Sequence, residues 1–151
     1  MRMSLKNWCD DGWLTDHKTN PQEIEDLLAV AERDLKDSSA ASLSPDWQLA
    51  IAYNAALQAA TAALYASGYR AGREAHHYRI IQSLAHTIQA KQNLINQLDK
   101  FRKKRNIGGY EAAGRISKQE ADEMKKLAKD LYDQIITWLH QNHANLMAKK
   151  K

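Results

Sequence analysis

The chain is predicted to be all-α, an up-and-down bundle of about five helices with a short N-terminal arm, and three observations support this. Among 151 residues there are only two prolines and one phenylalanine, and the abundance of alanine and leucine favours helix throughout. Apolar residues recur with the 3.6-residue period of a helix buried along one side. Cap-then-proline signals punctuate those periodic stretches, whereas no stretch carries a strand alternation worth naming and no segment repeats.

Residues 1–19 form the arm, in which Trp8, Trp13 and Leu14 stand among charged residues. It is too short and irregular to specify an element, and its tryptophans are expected to dock it on the body. Residues 20–147 make the domain. Asn20-Pro21-Gln22-Glu23 has a cap, a proline at the first helical position and an acid behind it. Ile24, Leu27, Leu28, Ala31 and Leu35 then follow the helical period to about Lys36.

The small polar stretch from Asp37 to Leu43 is a connection, and Ser44-Pro45-Asp46 repeats the start signal. The second helix should run to about Ala66, stopped by Ser67-Gly68. It carries alanine on nearly every face, including Ala52, Ala55, Ala56, Ala59, Ala60, Ala62 and Ala63. Small residues all round let neighbours approach from several sides, so this helix is expected at the centre of the bundle.

A short basic loop from Gly68 to Arg73 leads to a third helix from Glu74, whose stripe is His77, Ile81, Leu84 and Ile88. Periodicity does not decide whether the chain breaks between Thr87 and Gln92 before the fourth helix, which runs to about Asn106. Gly108 and Gly109 then act as a helix stop. Beyond the loop from Tyr110 to Ile116, Ser117-Lys118-Gln119-Glu120 is a capping box. Ala121, Met124, Ala128, Leu131, Ile135 and Trp138 form the stripe of a long last helix, and residues 148–151 are a basic tail.

The formal charge of +4 and pI near 9.1 are mild, and only clustering of charge would argue for a nucleic-acid partner. That clustering occurs once, at Lys100, Arg102, Lys103, Lys104 and Arg105. A single cysteine, Cys9, permits no internal disulfide and fits a reducing cytoplasm. The sequence shows no apolar run of about 18 residues and no signal-peptide core, so a soluble cytoplasmic protein without a membrane segment is expected.

No metal or cofactor is expected. His76 and His77 are adjacent and point about 100° apart on a helix, so they cannot grip one ion together. His140 and His143 lack acidic companions at metal spacing and read as surface histidines at a helix C-terminus. No phosphate-binding glycine loop, dinucleotide fingerprint or nucleophile elbow occurs.

Helix geometry separates the clustered cations. Leu94, Leu98 and Phe101 line an apolar stripe whose next position is Arg105, whereas Lys103 falls opposite and Lys100 and Lys104 lie to the sides. Those three lysines read as a solvated helix end. A guanidinium on the core-facing line must instead be paired or enter a polar cleft, since burying it alone costs several kcal/mol. Tyr110 could turn back over Arg105, stacking its ring or offering its hydroxyl.

Asp34-Leu35, Ala52-Tyr53-Asn54-Ala55-Ala56, Gly68-Tyr69-Arg70, His76-His77-Tyr78-Arg79-Ile80-Ile81-Gln82-Ser83-Leu84 and Phe101-Arg102-Lys103-Lys104-Arg105-Asn106 occur in that order. Together they resemble the HEPN family, the higher eukaryote and prokaryote nucleotide-binding domain, and most nearly its small bacterial stand-alone members. The resemblance implies a helical bundle that commonly dimerises, with a polar cleft at the Arg-Asn pair. It implies as partners a second copy, a nucleotide or RNA, or a nucleotidyltransferase protein, in systems such as toxin–antitoxin pairs.

Ribonuclease relatives carry an arginine, a polar residue and then a histidine, the histidine moving the proton and the arginine stabilising phosphate charge. Here Arg105-Asn106 matches the first half, but position 110 is tyrosine and no histidine lies between 105 and 140. The expectation is therefore a domain that binds through Arg102, Arg105, Asn106, Tyr110 and His77 without catalytic competence. The alternatives are a metal-independent endoribonuclease using Arg105, Asn106 and Tyr110, and a dimeric scaffold with no nucleotide ligand.

Overall fold

The computed structural model describes residues 4–107 and 116–147, and side chains at 106 and 107 fall outside that description. Its elements are α1 (Leu5–Asp10), β1 (Leu14–Asp16), α2 (Pro21–Asp37), α3 (Pro45–Ala66), β2 (Tyr69–Ala71), α4 (His76–Ser83), α5 (Gln92–Ile107) and α6 (Lys118–Asn142), followed by a 3₁₀ turn, Ala144–Leu146. The all-α bundle is thus present, with six helices among the described residues.

Three starts follow from local chemistry. The side chains of Asn20, Ser44 and Ser117 accept hydrogen bonds from the backbone N–H groups of Glu23, Trp47 and Glu120, and Pro21 and Pro45 occupy first turns. Each cap satisfies an amide that would otherwise lack an intrahelical partner. At α6 the box closes, because Glu120 also accepts from the N–H of Ser117.

The bundle is built around α3. Ala52, Ala59, Ala62, Ala63 and Leu64 are fully buried, and α2, α4, α5, α6 and β2 all touch this helix. α3 is also, among the described residues, the one helix long and apolar enough to cross a membrane, with 67% of that window buried inside the protein. The expected absence of such a run therefore needs correcting. A core helix surrounded by protein passes the same test of length and composition.

Two boundaries also differ from expectation. The arm and the basic loop are not structureless: β1 and β2 pair antiparallel, Leu14 opposite Ala71 and Asp16 opposite Tyr69. Leu14 and Ala71 are buried, so the ladder fixes the arm to the body together with Trp8, which is buried and meets His86 edge-on at 5.2 Å. The third helix is shorter than its stripe, ending at Ser83. The chain then turns, with Gln89 at φ 57, although Leu84 and Ile88 remain in the core.

Candidate functional site

α4 begins without a side-chain cap, at Ala75 in the left-handed region with φ 51 and ψ 38. This conformation is costly for a residue with a Cβ. It turns the chain so that the Nδ1 of exposed His76 lies 3.0 Å from the carbonyl oxygen of Gly72. The half-buried imidazole of His77 then faces α3, with Nδ1 3.5 Å from the hydroxyl oxygen of Tyr53.

Tyr53 is 1% exposed, and its ring forms the floor on which the site rests. Burial pushes its phenol up to about 12, against the pull of Arg105 and Arg102 in the other direction. It therefore stays neutral at physiological pH. The guanidinium carbon of Arg105 lies 5.4 Å from the centre of that ring, inside the range of a cation–π contact.

Arg105 is itself exposed, which corrects the expectation of a cation on the core-facing line. The buried stripe of α5 is Ile95, Leu98 and Phe101, with Leu94 only half-buried. The direction extrapolated from these residues is sound, since it lands on buried Tyr53. Among the described side chains of α5, Phe101 is the last that is buried. Among the described residues no carboxylate forms an ion pair with Arg105.

Arg102 is held differently. Its Nε lies 2.7 Å from the Asp99 carboxylate and its guanidinium carbon 5.5 Å from the Tyr78 ring. Lys103 shares the same carboxylate at 3.4 Å. Lys104 departs from the solvated role expected of it by pairing with Glu120 across to α6, while Lys100 lies 5.7 Å from the Phe101 ring.

His77 ends up between these charges. Desolvation lowers its basicity first, then the fields of Arg105, His76 and Arg102. A neutral imidazole beside two guanidiniums can accept a proton from a bound group, and does so more readily once an anion offsets the arginines.

The structure therefore brings together Arg102, Arg105 and His77, three of the five residues singled out by sequence, and adds Tyr53, which meets Arg105 and His77 directly and feels the charge of Arg102. Asn106 belongs to the last turn of α5, but its side chain, like the whole of Tyr110, lies outside the described residues. Sequence reasoning named Tyr53 only within the fragment Ala52-Tyr53-Asn54-Ala55-Ala56 and gave it no place in the site. Its signal is that it precedes Asn54, whose Nδ2 lies 2.6 Å from Asp34 Oδ2, a contact that fixes which side of α3 turns towards α4 and α5.

Elsewhere, a groove of about 1620 Å³ between α2 and α6 is lined by Leu28, Leu35, Tyr132 and Ile136 among others, and by none of the clustered cations. His143, expected at the surface, is half-buried with its ring 4.9 Å from Trp138, and burial lowers its basicity. Among the described residues no group of His, Cys, Asp and Glu is arranged to hold a metal ion. Comparison with known protein families, characterised proteins and solved structures yields no match to this chain.

Proposed function

We propose that the chain is a HEPN-like domain that binds a nucleotide or RNA through Arg105, Arg102 and His77, and that it binds without turning its ligand over. The observation that carries this reading is the placement of Arg105. Its guanidinium is exposed, lies over the ring of a buried tyrosine and forms no ion pair with a carboxylate among the described residues. A phosphate oxygen supplies the charge such a group lacks. Arg102 is already offset by Asp99, so it serves as the secondary contact. The resemblance adds a second copy or a small nucleotidyltransferase as the protein partners to look for.

Calorimetric titration with AMP, ATP and a short RNA, for the wild type and Arg105→Ala, tests the reading. Binding should weaken with salt and fall by at least tenfold in the variant, with Arg102→Ala losing less. An exposed side chain such as Arg105 should change stability by only about 0.5 kcal/mol. If none of these compounds binds, or if the variant binds as well as the wild type, the reading fails.

A metal-independent endoribonuclease is the second reading, and His77 favours it. The sequence left the proton acceptor unidentified, and this neutral imidazole lies within the fields of both arginines. RNA left intact by a clean, concentrated preparation in EDTA removes that reading; cleavage abolished by His77→Ala supports it.

A further inference from the structure

Aromatic rings and guanidiniums alternate from Arg102 towards the N-terminal arm. Arg102 lies 5.5 Å from the Tyr78 ring, Arg79 lies 5.6 Å from the same ring, and Arg79 then stacks on Trp13 at 3.7 Å. All four side chains are half-buried, each leaving part of its surface to solvent. They come from three separate elements: α5, α4 and the turn between α1 and β1. Arg102 is also close enough to His77 and Tyr53 for its charge to act on both, and Tyr53 in turn carries Arg105 over its ring and His77 at its hydroxyl.

Resting on the proposed nucleotide-binding role, we propose that the full ligand is a single-stranded nucleic acid laid along this row, with its phosphates on Arg105, Arg102 and Arg79 and its bases on Tyr78 and Trp13. Single-strand binding surfaces combine positive charge that tracks the backbone with ring faces on which successive bases stack. An acidic peptide would use the guanidiniums and leave the rings without a role. In a duplex the base faces are hidden, so only the charges would engage.

Arg79 fits this role in two ways. A guanidinium plane stacks bases as an aromatic ring does, and its present seat on Trp13 is one a base can take when the guanidinium turns to a phosphate. Among the described residues the carboxylate that forms an ion pair with a cation of this row is Asp99, which Arg102 and Lys103 share.

The experiment measures binding of oligouridylates and oligothymidylates of increasing length, AMP and an RNA duplex, following intrinsic tryptophan fluorescence. Affinity should rise with length over the first few nucleotides and exceed that for AMP and for the duplex. Tyr78→Leu should weaken the single strand about five- to hundredfold and AMP by a clearly smaller factor. Arg79→Gln should reduce the slope of log affinity against log salt by about 0.7.

Trp13→Phe keeps a stacking ring in the arm, so it should retain binding and lose the fluorescence response. Because Trp13 also packs the arm, the Tyr78 and Arg79 variants carry the test if Trp13 variants lose their fold. AMP binding that needs Arg105, with no gain from strand length and no effect of Tyr78→Leu, overturns this inference and leaves the nucleotide-binding reading standing. Equal affinity for duplex and single strand also overturns it, and absence of all binding overturns both.

Discussion

Replacing Asn54 by leucine should destabilise the protein far more than its half-buried position on α3 suggests. Its Nδ2 donates at 2.6 Å to Oδ2 of Asp34 on α2, and Asp34 is only 6% exposed. The other partner of that carboxylate is Arg33, which reaches Oδ1 at 3.0 Å from a side chain that is 63% exposed. Water competes for an exposed guanidinium and screens it, so Arg33 offsets little of the burial. The amide of Asn54 is therefore the interior partner of a nearly buried charge. Losing a hydrogen bond to a charged group costs about 1.5–3 kcal/mol, which in a chain of this size lowers the melting midpoint by roughly 4–10 °C.

Urea and thermal unfolding of Asn54→Leu, Asp34→Ala and the double variant measure both the loss and the coupling. Once Asp34 is gone, Asn54→Leu should cost much less, a non-additivity of at least about 1 kcal/mol. A single-variant loss under about 0.5 kcal/mol, or a cycle that closes additively, would show that this bond does not pin α2 to α3. The account of how Tyr53 is oriented would then fall with it.

Two further outcomes follow from the same contacts. His77 has a native basicity below the ordinary imidazole value of 6.5, so the unfolded chain binds the extra proton. Its contribution to stability is whole above that value and is lost as pH falls through the lower native one. Denaturant titrations across the acid range should show a shallower loss for His77→Gln, and an NMR titration should place the His77 imidazole higher in Arg105→Ala than in the wild type. Ala63, fully buried on α3, has no room for a larger side chain, so Ala63→Leu should cost about 1–3 kcal/mol by thermal melting, whereas Leu at half-buried Ala50 should cost much less.

How far the molecule is legible in its sequence depends on the range of each interaction. The starts of α2, α3 and α6 are carried by residues three apart, such as Ser117 and Glu120, and they emerge where expected because both partners are in view at once. The alanine-covered helix is central for a reason its own composition supplies. The strand pair had no such signal. Each strand is three residues long, and Leu14 finds Ala71 more than fifty positions away, so neither segment has an alternation to detect until the bundle holds the two ends together. The same distance separates Trp13 from Arg79, which is why periodicity marked the cations at 100–105 and said nothing of the row that continues from them.

Arg105 shows the complementary limit. A helical stripe fixes an azimuth, and along that azimuth the side chain meets Tyr53. How far the core extends along the helix axis is decided by neighbouring helices, which the stripe does not contain. The conflict inferred from sequence, a charge in an apolar line, is therefore resolved by position rather than by pairing: the guanidinium is exposed and rests over the buried ring of Tyr53. A cation burdened with its own carboxylate, as Arg102 is with Asp99, must give up part of that bond to take a ligand. Arg105 has no ion pair to give up among the described residues, while the ring beneath limits its motion and lowers the entropy lost on binding. Of the cations at 100–105, this is the one whose surroundings favour an incoming anion most.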